Sequence, residues 1–470
     1  MKTQGTVQIR SPRIDRSAGR RWLAGVGLVL LVSFISLSAA ACVQSGSQSG
    51  SQDAPNSPPG KWVQVLQGYT LTALAAAPND PAIIYACAIL PQQSKQAPPR
   101  SGPGHYTLLH STDFGAHWQD IGSKIVLDGS CAFAINPTDS NDIYVVGPSS
   151  ILKGPAVLQH STDGGQTWNS ILPTLQVPGL PYVLAWHVLQ LSFEGDRLFG
   201  VQSVPQSIVF TPGQPILPAR NFSSRRLVTS VDGGHNWTVV DGNISATIQG
   251  MSSYAVDPTN PDTIYEVVGT PLLPAQSQLA PQSSDAAITP HASLEGELYK
   301  TINSGSTWQL LLRGLPFGVQ VSVASNKPNL VYLGGLIGPL PYVLRLQEVT
   351  SSVGIFYLSV SNDGGANWRQ VGLPPQVAKL QNWSVGPGGD VYAATYLMPA
   401  ATVVPAPIAN ATPTPSIQRY DPAANAWSEV TEAPSPGSLL SVTSPGAGSG
   451  AVLWFIGTSN GSEILYRDVV

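Results

Sequence analysis

The chain has 470 residues, of which 42% are hydrophobic and only 11% charged, and its formal net charge is −4. That hydrophobic share excludes a disordered chain, and 46 Gly with 42 Pro favour many short strands joined by turns over long helices. Residues 1–42 hold six basic side chains and one acid, so the remainder carries −9, a balance that excludes nucleic acid and anionic lipid as partners of the folded part.

In chain order, Lys2, Arg10, Arg13, Arg16, Arg20 and Arg21 form a basic region, followed by an uncharged, mostly apolar run from Trp22 to Ala41. Twenty such residues are long enough to span a bilayer as a helix, and Ala39-Ala40-Ala41-Cys42 closes the run with small residues, as a cleavage site does. The segment resembles a bacterial lipoprotein signal with Cys42 as the acylated residue, although Ala39 stands where that signal usually has Leu. An uncleaved anchor and plain secretion are the alternatives, and each expects the bulk of the protein outside the cytoplasm, with the N-terminus as its contact to a membrane. Residues 43–60 read as a flexible Gly/Ser/Gln tether. Cys87 and Cys131 lie in β-like runs and allow a disulfide in an oxidising compartment, or two buried thiols.

From residue 61 onward one motif recurs. It reads Ser111-Thr-Asp113-Phe-Gly115-Ala-His-Trp118, then Ser161-Thr-Asp163-Gly-Gly165-Gln-Thr-Trp168 and Ser230-Val-Asp232-Gly-Gly234-His-Asn-Trp237. It returns as Thr301-Ile-Asn303-Ser-Gly305-Ser-Thr-Trp308 and Ser361-Asn-Asp363-Gly-Gly365-Ala-Asn-Trp368. A degenerate copy, Tyr420 to Trp427, keeps the Trp and shifts the Asp. Asp or Asn is suited to bond the backbone of its own turn, Gly to supply a positive φ, and Trp to enter an apolar layer between sheets. Equivalent carboxylates repeated one per copy argue for structural turns, against catalysis or Ca²⁺ ligation. The repeat resembles the Asp-box, or BNR, repeat of sialidases, sortilin-type receptors and photosystem II assembly propellers. The resemblance implies an all-β propeller of four-stranded antiparallel blades.

A second motif alternates with the first: a strand, a Pro/Asn/Asp turn, and a strand carrying an aromatic. Those aromatics are Tyr85, Tyr144, Phe199, Tyr265, Tyr332, Tyr392 and Trp454. They predict seven blades over residues 61–470, each running strand A, Pro turn, strand B, variable loop, strand C, box turn, strand D. After Trp454 the chain ends without a box Trp or strand D, whereas Lys61-Trp62-Val-Gln-Val-Leu66 resembles the strand that begins at each box Trp. Residues 61–67 are therefore expected to close blade seven.

From box Trp to the next Pro turn the spacing is short and even; between strands B and C it varies widely. The B–C insertions emerge opposite the box turns, which marks that face as a candidate binding face. Tyr182, Trp186 and His187, with the partly repeated Tyr342 and Arg345, are candidate contacts for a protein or glycan partner; local packing is the plainer explanation. The insertions hold few acids or histidines, so neither metal nor cofactor is expected. The enzyme alternative is an exo-sialidase-like glycoside hydrolase, which needs three convergent Arg, a Tyr/Glu pair and an acid/base Asp. The Arg-Ile-Pro motif of sialidases is absent from the propeller region, and Asp196, Glu266 and Glu348 are weak carboxylate candidates without supporting context. The catalytic residues of any such activity are not legible.

Overall fold

The computed structural model describes residues 61–89, 106–125, 127, 131–146, 157–176, 188–205, 223–241, 244, 251–269, 296–315, 319–337, 355–373, 377–397, 414–443, 450–459 and 462–470. All lie in one compact unit spanning 50–470. Among them stand 29 strands and one short 3-10 turn at Gly122–Lys124.

Strand β1 (Val63–Gln67) precedes the first blade, which comprises β2 (Thr70–Ala76), β3 (Ile84–Ile89), β4 (Tyr106–Ser111) and β5 (Gln119–Asp120). Blade two is β6 (Ala132–Asn136), β7 (Asp139–Val146), β8 (Leu158–Ser161) and β9 (Asn169–Ile171). Blade three adds a fifth strand: β10 (Thr174–Gln176) runs parallel to β14 (Asn236–Val239), outside β11 (Val188–Glu194), β12 (Arg197–Pro205) and β13 (Ser223–Ser230). Blade four is β15 (Met251–Asp257), β16 (Asn260–Gly269), β17 (Gly296–Thr301) and β18 (Gln309–Leu315). Blade five is β19 (Gln320–Ala324), β20 (Lys327–Ile337), β21 (Ile355–Ser361) and β22 (Arg369–Gln370). Blade six is β23 (Val377–Val385), β24 (Val391–Leu397), β25 (Thr414–Asp421) and β26 (Ala426–Glu432).

Blade seven holds β27 (Gly437–Thr443), β28 (Val452–Ser459) and β29 (Ser462–Val469), and its fourth strand is β1, antiparallel to β29. The expected N-terminal closure is thus what the strands do. It pairs β29 on both sides and ties the two ends of the ring together, which removes an edge that a sheet must otherwise protect.

The core is not one mass but seven layers, each between two neighbouring blades. Every strand-B aromatic is buried in such a layer. Each layer also receives one tryptophan from a strand-D position. Trp118 joins the layer between blades seven and one, Trp168 one and two, Trp237 two and three, and Trp308 three and four. Trp368 joins four and five, Trp427 five and six, and Trp62, from the closing strand, six and seven. A large amphipathic ring that fills a gap and still offers a polar N–H suits this position: Trp427 Nε1 donates to the Gly372 carbonyl of the preceding blade at 2.8 Å.

The recurring turns have one geometry. The Ser or Thr hydroxyl accepts the Gly N–H two residues beyond the Asp or Asn, at 2.8 Å for Gly115, Gly165 and Gly365 and 3.0 Å for Gly234 and Gly305. Oδ1 of the Asp or Asn accepts the N–H four residues on, from His117, Thr167, Asn236, Thr307 or Asn367, at 2.8–2.9 Å. Hydrogen bonds from the Thr167 hydroxyl and the Asn367 amide to Oδ2, followed by these backbone bonds, pull the Asp163 and Asp363 carboxyls down to about 2. Carboxylates so committed are structural fastenings rather than bases. In the degenerate copy, Asp421 accepts from Ala423 and Ala424 instead, and Asn425 takes the positive φ.

Strand B also reaches forward to the next blade. Tyr85 donates its hydroxyl to the Ser140 carbonyl at 2.9 Å, and Tyr265 to that of Gly364 at 3.0 Å. Cys87 on β3 and Cys131, just before β6, form a disulfide that covalently joins blades one and two.

Candidate functional site

The A strands of blades one to five line a cavity of about 660 Å³. It lies along the propeller axis because strand A is the innermost of each blade. Most of its wall is small or apolar, including Ala73, Ala75, Ala132, Leu191, Ala255 and Val323. The short residues hold the cavity open; larger ones at these positions would fill it.

Its one charge and a pair of hydroxyls come from the junction of blades three and four, while Thr72, Gln190 and Ser322 add polar surface on blades one, three and five. Glu194 ends β11, at the channel end where the A–B turns lie, and is the single charged residue among the described residues lining the cavity. It keeps some surface open to the channel while protein atoms surround it, and that desolvation pushes its carboxyl up to about 7. No hydrogen bond or ion pair to Glu194 occurs among the described residues. Beside it, Ser192 and Tyr254 share a hydrogen bond of 2.9 Å between their hydroxyls. Burial raises the Tyr254 phenol well above its ordinary value; the bond from Ser192 opposes this, and the charge of Glu194 adds to it.

The same interblade layer holds a buried ionic group. Glu266 on β16 is 1% exposed and pairs in register with Tyr254 on β15. Asp241, just after β14, is 3% exposed, and its Oδ2 lies 3.8 Å from Nη1 of Arg226 on β13. Burial raises both carboxyls; the negative charge of Asp241 raises Glu266 further, and Arg226 works in the opposite direction on each. Asp241 Oδ1 and Glu266 Oε2 have no hydrogen-bond partner among the described residues. One guanidinium cannot neutralise two dry carboxylates, so burial holds both carboxyls above the usual carboxylate range, Glu266 well above it.

Of the sequence candidates, Tyr182, Trp186, His187, Tyr342, Arg345, Glu348 and Cys42 lie outside the described residues, as do the B–C insertions between Ile89 and Tyr106 and their counterparts in blades two to six. Asp196 is exposed at a turn, 3.5 Å from Arg197, and away from the cavity. Glu266 is buried between blades rather than open to the channel. The arginines described by side chain serve other contacts. Arg197 pairs with Asp262 at 2.7 Å, Arg419 with Asp390 at 2.8 Å, and Arg467 donates to the Phe114 carbonyl at 2.6 Å. None of the described arginines lines the cavity, so the three-Arg carboxylate clamp of a sialidase is not assembled among the described residues. Sequence reasoning missed Glu194, Tyr254, Asp241 and Arg226. The available signal was an acid closing the apolar strand Val188–Glu194, ahead of a turn without the usual Pro.

No sequence family and no curated protein matches this chain. Solved structures do resemble it. One described as YCF48 bound to D1 peptide is 14% identical over 88% of this chain and 96% of its own, with a TM-score of 0.45. An oligogalacturonate lyase in complex with manganese is 12% identical over 88% and 98%, with a TM-score of 0.47. A Pyrococcus horikoshii acylaminoacyl peptidase is 10% identical over 86% of this chain and 52% of its own, also at 0.47. At such identities the likeness extends no further than the fold, which the strand pairing establishes by itself.

Proposed function

We propose that this chain is an extracytoplasmic binding or scaffold propeller of the Asp-box type, tethered to a membrane through its N-terminus. Its partner, a protein or a glycan, engages the insertion-bearing face. The observation that carries this reading is the central cavity: most of its wall is small or apolar, with a few polar groups and one charge set among them, which is how a binding site is composed. A glycoside hydrolase needs two carboxylates flanking the scissile bond. Glu194 is the one carboxylate lining the cavity among the described residues, so the binding reading is the better supported.

The test is crosslinking in native membranes. Shortening the segment 270–295 or 398–413 is expected to remove a captured partner, while Val231→Asp on the opposite, box-turn face leaves it in place. Equal capture by all variants would count against an insertion-face partner. For the tether, Cys42→Ser is expected to shift the protein from the membrane to the soluble fraction; unchanged retention would contradict lipidation. Turnover of a fluorogenic sialoside or other glycoside that is lost in Glu194→Gln would replace the binding reading with catalysis.

A further inference from the structure

The cavity's composition says what it would hold. Glu194 has no counter-charge among the described residues, and it lies in a channel whose walls otherwise offer aliphatic, aromatic and hydroxyl surface. The neighbouring hydroxyls of Ser192 and Tyr254, bonded to each other, are neutral and supply none. Arg197, opposite Glu194 in the β11–β12 register, directs its guanidinium to Asp262 and Ser304 of blade four. Arg226, the other cation of this junction, faces Asp241. A carboxylate in such surroundings is left to be paired by something that enters.

We propose that the central cavity is a receptor for an organic cation, an ammonium or guanidinium carried on an apolar body, held against Glu194. This rests on the reading of the protein as a binding propeller and names the ligand class of its channel. A metal ion fits poorly: a hard divalent cation takes six or more oxygen ligands, and the cavity offers one carboxylate beside two hydroxyls, with Thr72, Gln190 and Ser322 spread over blades one, three and five. No group of three or more potential metal ligands occurs among the described residues. An organic cation asks only for one carboxylate beside apolar and aromatic surface. Phe133 and Tyr254, on the inner strands of blades two and four, supply aromatic surface in the same cavity. The volume, about 660 Å³, is that of a site for a small molecule or one or two side chains.

The cation has two possible sources, a basic side chain of an inserted peptide or a free amine. Calorimetric titration of the full chain at pH 8 separates them with four probes. These are phenethylammonium, its neutral counterpart 2-phenylethanol, and the capped tripeptides Phe-Lys-Phe and Phe-Gln-Phe. At least one charged probe is expected to bind about tenfold or more tightly than its neutral counterpart, and Glu194→Gln to abolish that preference. Asp196→Asn, two residues away on the exposed turn, should leave it intact. Preference for the lysine tripeptide assigns the cation to a peptide; preference for the free amine assigns it to a small molecule. Equal binding of charged and neutral probes by the wild-type chain overturns the proposal while leaving an apolar binding channel standing. Binding of none of the probes overturns it as well, and partner capture through the insertion face remains a separate measurement. A charge preference that survives in Glu194→Gln, with the fold intact by circular dichroism, places the cation elsewhere and also overturns it.

Discussion

Two glycines in blade four separate backbone strain from close packing between blades. Gly305 has φ +83° in its box turn, and a Cβ built there meets the Val240 carbonyl oxygen of blade three at 2.1 Å. Gly314 has φ +74° in β18, with nothing within 4 Å of the same construction. Gly314→Ala therefore incurs only the left-handed conformation, about 1–2 kcal/mol, partly offset by the lower unfolded-state entropy of Ala. A net loss of roughly 1 kcal/mol is expected. Gly305→Ala incurs the same strain and must also displace the carbonyl by about 1 Å, an overpacking cost of roughly 1–3 kcal/mol. The displaced oxygen also accepts from Trp308 Nε1 at 3.3 Å, and weakening that bond adds up to about 1 kcal/mol. The total is about 2–5 kcal/mol. Equilibrium urea denaturation of both variants, followed by tryptophan fluorescence, reads the difference directly. Equal midpoints for the two variants would refute the claim that the box glycine is required by the preceding blade as well as by its own φ.

Three further outcomes rest on the packing and charges. Glu266 has a folded-state pKa raised above that of the unfolded chain, so the wild-type protein is favoured at low pH and loses stability as pH rises from about 4.5 toward the folded value. The slope from one group is at most about 1.4 kcal/mol per pH unit. Glu194 and Asp241, also raised by burial, add slope of the same sign. Glu266→Gln should therefore reduce it between pH 5 and 8 without abolishing it, and an unchanged slope in urea titrations would remove Glu266 as a source. The Cys87–Cys131 disulfide spans 44 residues and constrains the unfolded chain by about 4 kcal/mol. Cys131→Ala should lower the denaturation midpoint and abolish its sensitivity to reductant, whereas persistent sensitivity would contradict this. Trp62 is half-buried in the layer between blades six and seven, and its Nε1 donates to the Glu432 carbonyl at 2.7 Å; Trp62→Ala should cost roughly 2 kcal/mol and speed amide exchange in β29, which hydrogen exchange with mass spectrometry detects. Exchange in β29 that stays at the wild-type rate would mean the closing strand does not depend on this anchor.

The architecture was legible because the fold repeats and each repeat carries its own local chemistry. Ser111, Asp113 and Gly115 announce a turn regardless of context, and Trp62 before Val63–Gln67 matches the strand beginning at each box Trp closely enough to identify the closing strand. A second repeat was equally present but is visible only with the register known: the strand-B aromatic stands opposite a basic residue in five blades. These pairs are Tyr85 with His110, Tyr144 with His160, Tyr265 with Lys300, Tyr392 with Arg419 and Trp454 with Arg467. His110 and His160 stack on their tyrosines at centroid distances of 4.6 and 4.1 Å. The polar junction was not legible. Glu194, Arg226, Asp241 and Glu266 are spread over 73 positions and share no motif, and only the apposition of blades three and four joins them. The extra strand β10 escaped for a similar reason, since its partner β14 lies some 60 residues further along the chain.

The junction departs from the apolar rule of most of the ring, as does blade seven, where Arg467 and Asp468 are buried and Arg467 reaches the Phe114 carbonyl of blade one. The layer between blades seven and one is filled by residues such as Leu74, Ile84 and Trp454, and that between four and five by Val267, Leu298 and Leu333. The layer between blades three and four surrenders part of its apolar area to Arg226, Asp241 and Glu266, and an apolar set of similar volume there would be at least as stable. Structural necessity does not account for the exception, because the box turn of blade four and Trp308 are in place there as elsewhere. A local loss of stability that the other layers can absorb is the pattern expected where a position is kept for something other than folding. The seam also has a direction: its inner end, at Ser192, Glu194 and Tyr254, opens into the cavity, while its outer end is dry. A ligand that neutralises Glu194 therefore acts on the same blade junction that holds the strained carboxyls. Binding in the channel and cohesion of blades three and four are then linked, and mutation of Glu266 or Asp241 should alter affinity in the cavity without contact to the ligand.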